Sequence, residues 1–284
     1  MTLALLVLLK LIVTAIIFGI GLDSTPRDAV RLFRHPALLL RSVVAMYVLV
    51  PLAALALVKL LPLSPGVEAG LLVLAVSAGA PLLPRKLLGI GDGAYIFSLV
   101  VVSSVLAVIL VPVWLEILVP LFPRLPHLAP ERAAMVLGES FFLPLLAGMA
   151  VRWLFPGFAA WVGGWLVGLA GLLLALTALV LLAVNWHIVL EVQWQGVVAL
   201  AVMILVALVI GHLVGGPKDE DRTALAVACA TRHIGVAVVV ATSLPGVRVA
   251  VVISVYIAIS VAITLPYTRW RRRLVRKSEE APLK

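Results

Sequence analysis

Charged residues and cysteines are scarce in this chain. Of its 284 residues only 12% are charged, and Cys229 is the single cysteine. One cysteine excludes an intramolecular disulfide bond and any metal cluster held by cysteines. With 64% hydrophobic residues and a mean hydropathy of +1.23, a soluble domain could not bury its apolar surface, whereas a lipid bilayer removes that difficulty. The composition therefore predicts an integral membrane protein.

The apolar residues fall into segments of membrane-spanning length. A bilayer core about 30 Å thick needs roughly 20 apolar residues in each helix. Short connections rich in Pro and Gly separate about nine such segments: residues 3–22, 36–61, 67–90, 93–119, 133–155, 162–185, 194–215, 223–244 and 247–268. We therefore predict an all-α fold, with a single transmembrane domain over residues 1–268 and a basic cytoplasmic tail over residues 269–284.

The basic residues are distributed unevenly between the two sides of these spans. With the C-terminus inside, fifteen Lys and Arg residues lie on cytoplasmic segments and three lie outside, and seven of the fifteen are in the tail. This bias predicts an outside N-terminus and a cytoplasmic C-terminus in the plasma membrane. The net charge of +9 thus reflects membrane flanks, and we expect a lipid bilayer and no nucleic acid as partner.

Two of the predicted spans contain helix-breaking sequences. The third holds Gly79, Pro81 and Pro84, and the prolines remove helix hydrogen bonds. The eighth holds Arg232 about ten residues into the span, followed by His233. A pair of interrupted segments in corresponding positions of two halves is typical of inverted-repeat secondary transporters.

Polar side chains inside the spans are the candidate substrate-binding residues. A guanidinium deep in a bilayer marks a pathway by default, so Arg232 leads this set; a structural pairing with freed backbone carbonyls is the alternative. The set also contains Arg85, His233, Thr231 and Glu139, together with the helix-breaking Pro81 and Pro84. His233, like His212, has an unperturbed pKa near 6.5 and could carry a proton, as could Glu139.

Signatures of enzymes are missing from the sequence. It contains no His-Glu-x-x-His motif and no Gly-rich phosphate loop between a strand and a helix. Ser140 and Ser254 are lone hydroxyls without a neighbouring base. We therefore expect no catalysis, no catalytic residues and no cofactor.

Several short motifs along nearly the whole chain resemble the bile acid:sodium symporter family, within the bile acid/arsenite/riboflavin transporter superfamily. They lie at residues 19–22, 33–36, 49–52, 64–70, 91–92, 143–148 and 223–237. The resemblance implies two inverted repeats divided into a panel and a core, with two broken helices crossing in the core opposite a substrate cavity. It assigns spans one, five and six to the panel.

The resemblance also implies where sodium would bind, and there this chain departs from the family. The positions that hold oxygen-bearing side chains in the family read here as Met46, Leu83, Pro84, Ile96, Val100, Ala228 and Arg232. Sodium prefers oxygen ligands. The chain is thus similar to a divergent member of the family without a sodium site, and we expect no bound metal.

These observations predict a secondary active or facilitative transporter of a small or amphipathic organic anion, which works by alternating access without sodium. Arg232, Arg85 and the N-termini of the half-helices would supply the positive field. A proton-coupled transporter of the same fold is one alternative. A transport-inactive accessory membrane subunit or a membrane enzyme is another, and a homodimer stays open.

Overall fold

The protein is all-helical in the part that the structure describes. The computed structural model describes residues 2–23, 32–79, 87, 93–122, 135, 139, 142–242 and 248–280. Its helices are α1 (Thr2–Asp23), α2 (Pro36–Leu60), α3 (Pro65–Val76), α4 (Gly93–Leu121), α5 (Leu143–Leu154), α6 (Pro156–Val184), α7 (Trp186–Glu191), α8 (Gln193–Val214), α9 (Asp219–Thr231), α10 (Ile234–Thr242) and α11 (Arg248–Glu280). This helical architecture agrees with the predicted fold class.

Prolines set several of these helix boundaries. Pro36, Pro65 and Pro156 each stand at the first position of a helix, where the missing N–H is not needed and the fixed φ favours helix. Helix α9 starts differently, with three acidic residues in its first turn, where negative charge complements the helix dipole.

The helices have the length and surface of membrane spans. Within the described residues, α2, α6, α8 and residues 248–275 of α11 are long and apolar enough to cross a bilayer, and α4 makes a fifth if its two bent halves count as one span. The 48° bend in α4 falls between Ala107 and Ile109, where Pro112 offers no N–H to the carbonyl four residues back. The count of about nine spans stays a prediction.

Large apolar side chains cover the outside of the bundle. Leu11, Leu60, Trp153, Trp161 and Leu213 are each more than 60% exposed. A soluble monomer rarely shows so much apolar surface, whereas lipid solvates it. The outer surface thus fits a multi-pass membrane protein.

Two packing groups make up the bundle. Helices α1, α5 and α6 form the panel group, in which α1 packs along both of the others, and α2, α3, α4, α8, α9, α10 and α11 form the core group. The groups meet where α6 contacts α11 and α1 contacts α10. The panel group contains the three spans that the resemblance assigns to the panel.

Glycines allow the panel helices to approach closely. A Cβ added at Gly148 of α5 would lie 2.2 Å from the Phe18 carbonyl oxygen and 2.9 Å from the Cα of Gly21, both on α1. Small residues at such contacts let helix backbones touch in a membrane, where packing rather than water exclusion drives association.

Helix α11 extends beyond its apolar part. It continues through the basic residues to Glu280, so residues 269–280, predicted as a tail, prolong the last helix. Within this stretch Arg271 is 5% exposed and donates to the Thr223 hydroxyl and to the Asp219 carbonyl. These bonds fasten the end of α11 to the start of α9.

Candidate functional site

The interruption predicted in the eighth span is confirmed between α9 and α10, and it contacts the end of α3, which lies in the third predicted span. Helix α3 ends at Val76, while the gap between α9 and α10 contains Arg232 and His233. The His233 N–H donates to the Ser77 carbonyl at 2.8 Å. Gly79 takes a φ of +108°, and a Cβ there would lie 3.2 Å from the His233 ring, so glycine is needed for this approach.

Arg232 fills the space where the interruptions meet. Its side chain is 1% exposed. Its Nε donates to the Leu74 carbonyl at 3.0 Å, and both terminal nitrogens donate to the Met46 carbonyl at 3.2 Å. In the described part of the chain no carboxylate forms an ion pair with this guanidinium. The described contacts that stabilise its charge are therefore main-chain dipoles of α2 and α3.

The Met46 carbonyl is free because α2 contains a π-helical turn over Ala45–Leu49. In this turn the Val50 N–H bonds the Ala45 carbonyl five residues back. The next carbonyl in that register, that of Met46, would need an N–H from Pro51, which has none. The sequence Met46–Pro51 thus creates a buried acceptor, and Arg232 satisfies it.

Neighbouring carbonyls at the crossing find donors in the same way. The Trp114 indole donates to the Tyr47 carbonyl at 2.8 Å, and the Tyr256 hydroxyl donates to the Ala230 carbonyl in the last turn of α9. The Tyr47 hydroxyl in turn donates to the Ser103 carbonyl. Buried carbonyls are costly without donors, so this network stabilises the interrupted helices.

The backbone of Arg232 is strained. Its φ of +43° and ψ of 165° lie in a region that non-glycine residues rarely adopt, at a cost of about 1–3 kcal/mol. The surrounding structure must offset this cost. The three hydrogen bonds of the guanidinium contribute to that offset.

Four of the described positions that the resemblance predicts to match sodium ligands are buried and offer no side-chain oxygen. Met46, Ile96, Val100 and Ala228 are at most 2% exposed, and their side chains carry no oxygen. Leu83 and Pro84 lie outside the described residues. Among the described residues, no three His, Cys, Asp or Glu side chains come close enough to hold a metal ion.

The other predicted site residues have local partners or lie elsewhere. The Thr231 hydroxyl donates to the Val227 carbonyl of its own helix. His233 accepts the Val236 N–H on Nδ1 and so caps the start of α10; a proton-coupled mechanism would have to work with this bond in place. Glu139 is exposed. His212 of α8 bonds the Tyr267 hydroxyl at 2.9 Å. Pro81, Pro84 and Arg85 lie outside the described residues.

A cleft of about 510 Å³ lies between the panel group and the core group. We name it the α6–α11 cleft. Gly168 and Gly171 of α6 form one wall, and Thr264 and Thr268 of α11 face them. Apolar side chains complete the walls, and Arg269 and Arg272 line one end. The cleft thus offers an apolar body with a cationic end.

An ion pair joins α7, which connects the two packing groups, to the first residue of α11. This residue lies at the end of the helix opposite to Arg269 and Arg272. Arg248 donates to the Glu191 carboxylate at 2.9 Å, and this hydrogen bond lowers the pKa of Glu191. Because the folded pKa lies below the unfolded value, the stabilisation is present above the unfolded pKa and is lost as the pH falls through the folded one. Both side chains are exposed, so the contribution is small.

The helices and the lipid-facing surface define a multi-pass helical membrane protein. A sequence model of the sodium bile acid symporter family matches residues 10–214, well over half of the chain. The chain therefore belongs to the sodium bile acid symporter family, whose members are transporters and not enzymes. No curated protein matches the chain. The family match ends before Ala228 and Arg232, so their correspondence to sodium positions stays a prediction.

Sequence reasoning missed the main-chain partners of Arg232 and the α6–α11 cleft. Pro51 inside an apolar span was a signal for a freed carbonyl in α2. Glycines three apart in α6 and threonines four apart in α11 were the signal for the cleft, since each pair shares one helix face. Neither pattern predicts which helix lies opposite to it.

Proposed function

We propose that this protein transports a small or amphipathic organic anion by alternating access and does not use sodium. One observation carries the proposal: the Arg232 guanidinium donates to two main-chain carbonyls at the contact between the interrupted helices. Such carbonyls are the oxygen ligands that a hard cation would take. In this proposal a covalently attached cation takes the place of the bound ion that the family resemblance implies.

A sodium ion beside this guanidinium would be strongly disfavoured. Two unit charges about 4 Å apart repel by about 4 kcal/mol at an effective dielectric constant near 20. That energy reduces sodium binding by roughly a thousandfold even if every oxygen ligand were present. Together with the apolar side chains of Ile96, Val100 and Ala228, this repulsion supports sodium independence.

The α6–α11 cleft supports the substrate class. Its apolar walls suit a hydrophobic body, while Arg269 and Arg272 at one end suit a carboxylate or sulfonate, which arginine binds with paired hydrogen bonds. The cleft lies between the packing groups, so rigid movement of one group against the other would open and close it. In this proposal Arg232 holds the interrupted helices together and adds a positive field. Arg85 would add to the same field.

The experiment is a ligand-stabilisation screen of purified protein against organic anions, in sodium and in potassium at constant ionic strength. A ligand that binds the folded state raises the unfolding temperature by mass action. We expect the same stabilisation in both salts. The double variant Arg269→Gln/Arg272→Gln should lose it, while Arg273→Gln, a neighbour that does not line the cleft, should keep it. Saturable sodium dependence in the unmutated protein would refute the proposal.

We further propose nine spans in inverted repeats, in the plasma membrane, with the N-terminus outside and the C-terminus inside. The fifteen-to-three basic bias supports this orientation. A cysteine introduced at Ser278 should be shielded from an impermeant thiol reagent in intact cells, and one at Ser64 should react. Cys229 is fully buried and gives a silent background. The opposite labelling pattern would overturn the orientation and the span assignment together.

A further inference from the structure

A second cavity lies at the ends of the core helices, away from the α6–α11 cleft. Its volume is about 530 Å³. It lies between the start of α2, the first turn of α4 and the connection from α8 to α9. We name it the α2–α9 pocket. Because α2 begins and α8 ends there, the pocket lies at the edge of the membrane rather than within it.

The pocket carries excess positive charge. Arg34, Arg41 and Lys218 line it, and all three are exposed. Within the described residues none of them forms an ion pair. Asp221, the carboxylate in the lining, is 8% exposed. It lies beneath the turn at Gly216, and its Oδ2 would be 3.3 Å from a Cβ added to that glycine. Three like charges around one cavity favour a bound anion.

One wall of the same pocket is apolar. Leu32, Leu38 and the ring of Tyr95 line it, and the Tyr95 hydroxyl is engaged by Ser42 at 2.9 Å. A pocket with a cationic rim, an apolar wall and a position at the membrane edge matches an amphipathic anion anchored in the bilayer. Basic pockets between helices at this level are suited to anionic lipid headgroups.

We propose that the α2–α9 pocket binds the phosphate of an anionic phospholipid from the adjacent leaflet. The phosphate lies among Arg34, Arg41 and Lys218, and the glycerol and upper acyl chains rest on the apolar wall. A lipid seated there contacts the starts of α2 and α9, and Arg232, directly after α9, bonds α2 again at Met46, so the lipid stabilises the core group. This site is separate from the substrate cleft and does not depend on the identity of the substrate.

Native mass spectrometry of the purified protein tests this assignment. The probes are phosphatidylglycerol, phosphatidylcholine with the same acyl chains, and inorganic phosphate. The pocket variant is Arg41→Gln/Lys218→Gln, and the matched control is Arg273→Gln/Lys277→Gln, which removes the same residue types from the end of α11. We expect one tightly held phosphatidylglycerol in the parent and control, and roughly thirtyfold weaker binding in the pocket variant. Arg41→Lys should keep the lipid.

Three results would overturn the assignment. The first is equal retention of phosphatidylglycerol by the pocket variant and the parent. The second is equal retention of phosphatidylcholine and phosphatidylglycerol by the parent. The third is displacement of the lipid by millimolar inorganic phosphate, which would identify a free anion as the occupant. Since the substituted side chains are exposed, the pocket variant should unfold at the parent's temperature in phosphatidylcholine micelles, which separates a binding defect from misfolding.

Discussion

Replacing Arg232 with alanine should destabilise the protein and abolish anion binding. The change removes three hydrogen bonds from a fully buried guanidinium and leaves the Met46 carbonyl, which Pro51 cannot serve, without its donor. A buried acceptor without a partner costs about 1–3 kcal/mol, and the cavity left by the side chain adds to that cost. We expect a total loss on the order of 3 kcal/mol, measured as a lower thermal midpoint in detergent.

Two further variants separate the effect of the Arg232 charge on stability from the effect of its strained backbone. Arg232→Lys keeps the charge but lacks the planar fork that reaches the Leu74 and Met46 carbonyls together, so it should recover part of the stability. Arg232→Gly relieves the strain of a φ of +43°, which glycine adopts freely, so it should be less unstable than alanine yet remain less stable than the parent. If alanine and parent unfolded at the same temperature, the role of Arg232 in holding the crossing would be wrong.

Replacing Gly148 with alanine should separate α1 from α5. The added methyl group would stand 2.2 Å from the Phe18 carbonyl oxygen, and a main-chain atom cannot move aside without shifting its helix. Overpacking of this kind costs typically 1–3 kcal/mol. The expected result is a lower thermal midpoint and poor expression, since the panel group loses the close contact between α1 and α5.

Gly164→Ala is the matched control for Gly148→Ala. It is the same substitution in a helix of the same group, but a Cβ at Gly164 meets nothing within 4 Å. Alanine favours helix over glycine by up to about 1 kcal/mol, so the midpoint should stay level or rise. A similar loss in both variants would show that glycine flexibility, rather than close packing at Gly148, is what the panel group needs.

The sequence predicted where the core helices are interrupted, because the cause is local. Gly79 and the prolines after it disfavour a continuous helix, and a charged Arg232 inside an apolar segment indicates an exception to ordinary packing. These signals lie in the residues themselves. For the same reason the helix starts at Pro36 and Pro65 could be foreseen to within two residues.

The partners of Arg232 could not be predicted, because they belong to the backbone of distant segments. Met46 and Leu74 lie 186 and 158 residues away along the chain. Their side chains are apolar, so nothing in their chemistry marks them as acceptors. Arg271 shows the same limit: it was read as part of a solvated tail, whereas the continued helix buries it against Thr223.

A cation fixed to the protein changes the electrical balance of transport. A bound sodium ion travels with its substrate and offsets the charge of an anion, but the Arg232 guanidinium stays behind with α9. In the proposed mechanism each anion therefore crosses with its full charge. A membrane potential of 100 mV, negative inside, contributes about 2.3 kcal/mol for each unit charge, a bias of roughly fiftyfold toward the outside. Without another coupled ion, such a carrier would run as an exporter in a polarised cell.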